Sequence, residues 1–322
     1  MIRTHQIDAR EESANLHLRE LPRPQPQAGE VRVRHTWVGV NFVDVYHRIG
    51  LYPLPAYPAT PGVEAVGVVD KVAEDVTGFA VGDRVAYAGL PAGSYADART
   101  IPAGRLIRLP DDLSDEQVAG SLLRGLTAYL LLHRVTSIAP GQTVLVHAAA
   151  GGLGLILVQW LKRLGATVIG TVGSPEKAQI AKAHGLDHAI LYRDEDFVSA
   201  AAGLTERRGV DFAVDGIGGE TLAKTLQAVG AFGTVANVGQ VAGAIPPLDL
   251  QILNNRFLIR PSVIAFLADN ANYHAAANAW FAVLRDGLKV SEVQDYAFEE
   301  AALAHVDMEA GRTTGAVRLK VD

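Results

Sequence analysis

The sequence predicts an α/β protein of two domains, a β-rich barrel or sandwich followed by a doubly wound parallel sheet. Three observations predict it. The 322 residues exceed the usual size of a single domain. Up to about residue 120, short strand-like runs are broken at close intervals by Gly and Pro, the texture of a barrel or sandwich. Beyond that point, apolar strands alternate with helical stretches of roughly 10–15 residues, which is the pattern of βαβ units.

In the first part, strands are expected at 31–35, 65–72, 84–88 and 106–109, separated by Pro53, Pro55, Pro58, Pro61-Gly62 and Val81-Gly82-Asp83. Helical periodicity begins at 121–135. A strand at 143–148 then leads into a helix at 152–164, a strand at 166–172 and a helix at 175–184 that Gly185 stops. Further strands are expected at 187–192, 210–215, 233–238 and 257–259, then a helix at 269–286 and short strands again at 315–321. These boundaries give a first domain at 1–120, a doubly wound domain at 121–262, and a segment at 263–322 that rejoins the first domain.

Composition narrows the function. With 49% hydrophobic and 20% charged residues and a net charge of −6, the chain carries no electrostatic footprint for nucleic acid or an anionic membrane. It has no cysteine, which removes disulfides, thiolate nucleophiles, iron–sulfur clusters and cysteine zinc sites. The first residues are polar, and no run of about 18 apolar residues occurs, so a cytoplasmic protein is expected.

The stretch that carries chemistry runs from Gly141 through Val144, Val146, Ala148, Ala149, Ala150, Gly151, Gly152 and Leu153 to Gly154. A strand enters a glycine-rich turn that opens a helix, whose N-terminal N–H groups and dipole suit a pyrophosphate. The dinucleotide pattern GxGxxG is incomplete. Ala149 stands at its first glycine, while Gly151 and Gly154 match those for phosphate approach and for helix-on-sheet packing. The next strand ends Gly173-Ser174 without the acid that an NAD-specific domain places there. Gly173 clears room, Ser174 offers a hydroxyl, Lys177 lies one turn into the next helix, and Tyr192 closes the third strand. A cation with hydroxyl donors suits a 2′-phosphate; the alternative by position alone, the weaker of the two, is a solvated helix lysine.

Residues 141–162, with Ala149-Ala150-Gly151-Gly152-Leu153-Gly154, Gln159 and Lys162, resemble the signature of the quinone oxidoreductase/zeta-crystallin family of medium-chain dehydrogenases/reductases. Asn41-Phe42-Val43-Asp44, Gly50-Leu51-Tyr52-Pro53, Pro61-Gly62-Val63-Glu64, Gly82-Asp83-Arg84-Val85 and Gly125-Leu126-Thr127-Ala128-Tyr129 resemble its other landmarks. The resemblance implies a GroES-like β-barrel-type catalytic domain, a Rossmann domain, a homodimer, and NADPH in the cleft between domains. It also implies reduction of a quinone or related conjugated carbonyl. It assigns Ser174, Lys177 and Tyr192 to the 2′-phosphate and faces Asn41, Tyr46 and Tyr52 toward the nicotinamide.

On that implication, Asn41 can hydrogen-bond the ribose or a substrate oxygen. Tyr46 and Tyr52 can stack on a planar ring and donate to its carbonyl, or else pack the domain interface. Thr127 meets the cofactor near the domain junction, and Val238 and Gly239 offer it main-chain contacts only, as Ile217 does. Arg260 is a candidate for the carboxamide or phosphate side, or an ordinary ion-pair residue. No side chain stands out as a general acid, and a reduced quinone can take its proton from water.

Zinc alcohol dehydrogenases of the same superfamily carry a Cys where Asn41 stands and a His where Val63 stands, before Glu64. Catalytic zinc takes about three protein ligands, so no metal is expected. Two other readings remain: an NADPH-dependent alkenal/enone or enoyl-thioester reductase, and, from another class, an RNA-binding or structural crystallin-like protein.

Overall fold

The computed structural model describes residues 1–9, 15–290 and 292–321. It contains two compact units: Met1–Leu126 with Ile264–Asp286 and Val290–Asp322, and Thr127–Val263 with Gly287–Lys289.

The first unit starts with β1 (Ile2–Gln6) and β2 (His17–Leu21), paired antiparallel. The central strand is β3 (Glu30–Val40), in which Val31, Val33, Val38 and Val40 are fully buried. Helix α1 (Phe42–Arg48) follows at once, then β4 (Glu64–Val72), β5 (Arg84–Ala88), β6 (Ala98–Pro102) and β7 (Ile107–Arg108). Helix α2 (Asp115–Val118), capped by Ser114, precedes α3 (Leu122–Leu130), which runs on as a π-helical turn to Val135.

In the second unit every strand pairing is parallel. β8 (Thr143–Val146), α4 (Gly152–Arg163), β9 (Thr167–Val172), α5 (Pro175–Ala183), β10 (His188–Leu191), α6 (Phe197–Leu204), β11 (Val210–Asp215), α7 (Thr221–Ala228), β12 (Val229–Asn237) and β13 (Phe257–Ile259) alternate as expected. Among the described residues the sheet order is β10-β9-β8-β11-β12-β13. That is the Rossmann order, which reverses direction between β8 and β11 and opens a crevice beyond the strand ends there. β8 stops short of the expected 148 because Ala148 turns into the left-handed region, with φ 50°.

The chain returns to the first unit through α8 (Val263–Ala268), α9 (Asn270–Arg285), β14 (Val293–Ala297), α10 (Ala301–Glu309) and β15 (Ala316–Lys320). β3 is long enough to hold two partners along one edge. Its first half pairs with β6, and its second half takes the C-terminal β15. Among the described residues the order is β14-β15-β3-β4-β5-β7, with β6 on β3. This is the GroES-like half of the molecule. Its core joins Val31, Val33, Tyr87, Tyr95 and Ile101 to Phe298, Met308 and Leu319 from the returning segment. Among the described residues no helix is long and apolar enough to cross a membrane.

Candidate active site

Asn41 opens a helix in a stretch for which the sequence suggested no element. Asn41 is the residue before α1, and Asp44 reaches back one turn, its Oδ2 accepting from the Asn41 main-chain N–H at 2.8 Å. Phe42, Val45 and Tyr46 then fall on one face at helical spacing, which is the signal that was available in the sequence. Tyr46 is buried, and its ring lies 5.2 Å from that of Tyr52, which is 40% exposed. Phe42, whose part was not foreseen, extends this pair at 6.3 Å from Tyr46. The three rings form an aromatic face with one exposed member, a surface suited to a flat apolar ring.

Behind Asn41 lies a buried set of charges. Asn41 Nδ2 donates to Glu64 Oε2 at 2.8 Å, and Glu64 Oε1 accepts the Leu122 main-chain N–H at 2.8 Å. Glu64 fits there because position 39 is glycine: a Cβ at Gly39 would stand 2.6 Å from Glu64 Cδ. The Arg124 guanidinium donates to the Val40 carbonyl at 2.7 Å and to that of Gly120. Tyr95 Oη donates to Asp44 Oδ2 at 3.3 Å and meets His305 Nε2 at 2.8 Å.

Asn41, Asp44, Glu64, Tyr95 and His305 are buried and Arg124 is partly so, and their ionisation follows. Burial, together with the neighbouring Glu64, pushes the Asp44 carboxyl up to about 7. Glu64 is raised for the same first reason, opposed by Arg124 and by its hydrogen bonds. Burial pulls Arg124 down, against the pull of both carboxylates.

In the second unit a glycine-rich turn opens α4. Gly151 sits before α4 with no side-chain cap, so the first N–H groups of that helix stay available. At Gly154 a Cβ would lie 2.3 Å from the Ala148 carbonyl, so helix and turn meet at a distance that glycine alone permits. The methyl of Ala149, which stands where the pattern has its first glycine, is accommodated across the sheet. A Cβ at Gly170 on β9 would lie 2.5 Å from Ala149 Cβ, so the glycine is displaced to the neighbouring strand.

Below the turn, His147 is fully hydrogen-bonded, Nδ1 to Thr171 Oγ1 and Nε2 to Thr225 Oγ1, both at 2.9 Å. Burial pushes it down to about 4, so it is neutral. Asp215 Oδ1 holds the next loop through the N–H groups of Ile217 (2.7 Å) and Gly218 (2.9 Å).

Ser174, Lys177 and Tyr192 come together at the ends of β9 and β10. Ser174 caps α5, its Oγ accepting from the Lys177 main-chain N–H. The Tyr192 hydroxyl stands over Gly173, 3.1 Å from where a Cβ would be. Partial burial lowers Lys177, and so does the positive charge of Arg193, a second cation that sequence reasoning missed. An acid was missed as well: a hydrogen bond from the Ser174 hydroxyl holds the Glu176 carboxyl below its ordinary value.

The other candidates of this unit lie apart from that cluster along the chain. Thr127 is half-buried on α3. The Val238 N–H is taken by the Asp215 carbonyl at 2.8 Å. Gly239 packs where a Cβ would meet the Gly216 carbonyl at 2.8 Å. Arg260 is exposed and donates to Gln240 Oε1 at 2.6 Å.

A metal does not fit the position where the related zinc enzymes hold one. Asn41 and Val63 offer no ligand pair, and both Glu64 oxygens are already engaged. Among the described residues no group of three or more His, Asp or Glu is placed to hold a metal ion.

Residues 27–111 match the alcohol dehydrogenase GroES-like domain family, and residues 152–279 match the family of zinc-binding dehydrogenases. The chain is 37% identical over 308 residues to the quinone oxidoreductase of Pseudomonas aeruginosa, covering 94% of this chain and 95% of that one. It is 39% identical over 304 residues to the 2-haloacrylate reductase of a Burkholderia species, covering 91% of each. Among solved structures it is similar to Escherichia coli quinone oxidoreductase complexed with NADPH, at 36% identity and a TM-score of 0.94, over 99% of this chain and 100% of that one. On these grounds the chain belongs to the quinone oxidoreductase family of medium-chain dehydrogenases/reductases.

Proposed function

We propose that the protein reduces quinones with NADPH, without a metal. The observation that carries the choice of cofactor is the pairing of Lys177 with Arg193 beside the Ser174 and Tyr192 hydroxyls. The positive charge that Arg193 sets beside Lys177 is answered by a dianionic group such as the 2′-phosphate, and charge-assisted hydrogen bonds of that kind contribute about 1.5–3 kcal/mol each. In this reading Ala150, Gly151, Gly152, Leu153 and Gly154 receive the pyrophosphate, and Gly173 leaves room for the adenine ribose. Thr127, Val238, Gly239 and Arg260 complete the cofactor contacts. NADPH, when bound, supplies the hydride. Asn41, Tyr46 and Tyr52 orient the reacting groups, with Phe42 backing the rings, and water supplies the proton to the reduced oxygen. The test is the dissociation constant for NADPH and for NADH in wild type and Lys177→Ala; equal losses for both cofactors would refute the assignment.

The similarity to a 2-haloacrylate reductase supports a second reading, reduction of a carbon–carbon double bond conjugated to a carboxyl or carbonyl. A steady-state panel of quinones, enones and 2-haloacrylate with NADPH separates the two.

We further propose a homodimer, acting in the cytoplasm on a small-molecule substrate and without nucleic acid or membrane as partners. The edge strand β13 leaves Phe257, Leu258 and Ile259 exposed. Beside it Phe232 is 75% exposed in a left-handed conformation, its N–H bonded to the Asn255 carbonyl. An apolar edge with unpaired main-chain groups is covered by pairing with a second copy. Light scattering should give about twice the 34.2 kDa chain mass; a monomer at micromolar concentration would refute it.

A further inference from the structure

An asparagine amide has an acceptor end and a donor end of nearly the same shape, and only its hydrogen-bonding surroundings decide which end points where. At Asn41 those surroundings are one-sided. Glu64 Oε1 is held by the main-chain N–H of Leu122 at 2.8 Å, and the N–H of Leu123 also bonds this carboxylate. These donors belong to the start of α3 and cannot be exchanged. Gly39 leaves room for the carboxyl and nothing larger. Glu64 Oε2 is thereby aimed at Asn41, and a carboxylate oxygen only accepts, so the Asn41 end facing it must be Nδ2. Asn41 is only 5% exposed; its Oδ1 faces the Asp44 main-chain N–H in the capping box of α1 and, having two lone pairs, can take one further donor.

We propose that Glu64 is a positioning residue that fixes the polarity of Asn41, so that Asn41 offers Oδ1, an acceptor, to a hydroxyl of the bound cofactor or of the reduced substrate. The proposal rests on the reading of Asn41 as a site residue. It also narrows that reading, because an acceptor binds a ribose or hydroquinone O–H and not a quinone carbonyl oxygen.

The test exchanges the two side chains. In Glu64→Gln, the Gln oxygen must stay with Leu122, so its NH2 faces Asn41 and turns that amide over. Asn41→Asp alone places two carboxylates against each other. Asn41→Asp combined with Glu64→Gln keeps the same total charge beside Arg124, restores a donor–acceptor pair, and again presents an oxygen at the Oδ1 position. The four proteins to compare with wild type are Asn41→Ala, Glu64→Gln, Asn41→Asp and the double exchange. The measurements are kcat and KM for a quinone, the NADPH dissociation constant of the free protein, and the urea midpoint.

Asn41→Ala and Glu64→Gln should each lose about tenfold in turnover or NADPH affinity, the worth of one neutral hydrogen bond. Asn41→Asp should lose more, and the double exchange should recover most of the loss. An impaired Asn41→Ala with an unimpaired Glu64→Gln would overturn the positioning role and leave the site reading standing. An unimpaired Asn41→Ala would overturn the site reading and the proposal with it. Where Glu64→Gln alone fails to fold, the comparison of Asn41→Asp with the double exchange decides. No recovery there overturns the proposal, because a Glu64 that serves only folding gives the exchange nothing to restore.

Discussion

The charges around Glu64 and the charges around Lys177 are held in opposite ways. Asp44 and Glu64 lie buried in the first unit with Arg124 half-buried beside them, and both Glu64 oxygens, Asp44 Oδ2 and the Arg124 guanidinium are each engaged by a main-chain group or a neighbour. Lys177 and Arg193 lie at strand ends in the second unit, near the surface, with Lys177 only partly desolvated. A buried cluster sets geometry, is insensitive to salt, and is costly to break, because removing one partner strands the others. A surface cluster sets preference between ligands and responds to salt, because its charges stay hydrated until an anion arrives. On the proposed reading, orientation falls to the inner cluster and cofactor choice to the outer one.

The comparison is broken most severely at Arg124. Arg124→Met leaves Glu64 and Asp44 buried without their cation and should cost about 3–5 kcal/mol in urea unfolding. A loss within error of zero would mean that the cluster is not sealed.

Next comes the response to pH. Asp44 is raised to about 7, so the folded state holds a proton that the unfolded chain has released. Its contribution is present at low pH and is lost as pH rises toward 7. Asp44→Asn should therefore gain on wild type from pH 5 to pH 8, by an amount on the order of 3 kcal/mol. A constant difference between the two proteins across that range would refute the raised carboxyl. The buried histidines run the other way. His35, His47 and His147 are pushed down to about 4 and His305 to about 3, so the stability they contribute is present above their unfolded value and is lost as pH falls from 6.5 toward 4.

At the outer cluster Lys177→Ala should weaken NADPH binding by about one to two decades and leave NADH nearly unchanged, with Arg193→Ala acting in the same direction. Raising the salt should shrink the NADPH advantage in wild type and leave it almost unchanged in Lys177→Ala. Tyr52→Ala should slow quinone turnover about tenfold, about 1.4 kcal/mol, with NADPH affinity little changed; unchanged turnover would reduce Tyr52 to packing. The smallest effect is expected for Tyr192→Phe, a neutral donor worth about 1 kcal/mol to NADPH and nothing to NADH.

The sequence by itself determined most of the second unit. Parallel strands buried on both faces read as largely apolar runs, so β8 (TVLV), β9 (TVIGTV) and β11 (VDFAVD) stand out, and Ser174 and Gly185 mark the two ends of α5 by local chemistry. The glycines at 151 and 154, Lys177 and Tyr192 were legible for the same reason, since a turn that opens a helix is specified within a few residues.

What only the tertiary structure decided lies between distant positions. β1, β2 and β14 read IRTHQ, HLREL and VQDYA, too polar to be told from loop, and become strands because β1 and β2 pair with each other and β15 pairs with β14. Gly170 answers Ala149 across the sheet, and Arg193 comes to Lys177 from the neighbouring strand. Glu64 meets Asn41 and the start of α3 from positions 23 and 58 residues away. Each side chain has an ordinary identity on its own, and its charge, polarity or fit follows from which partners the fold brings within about 3 Å.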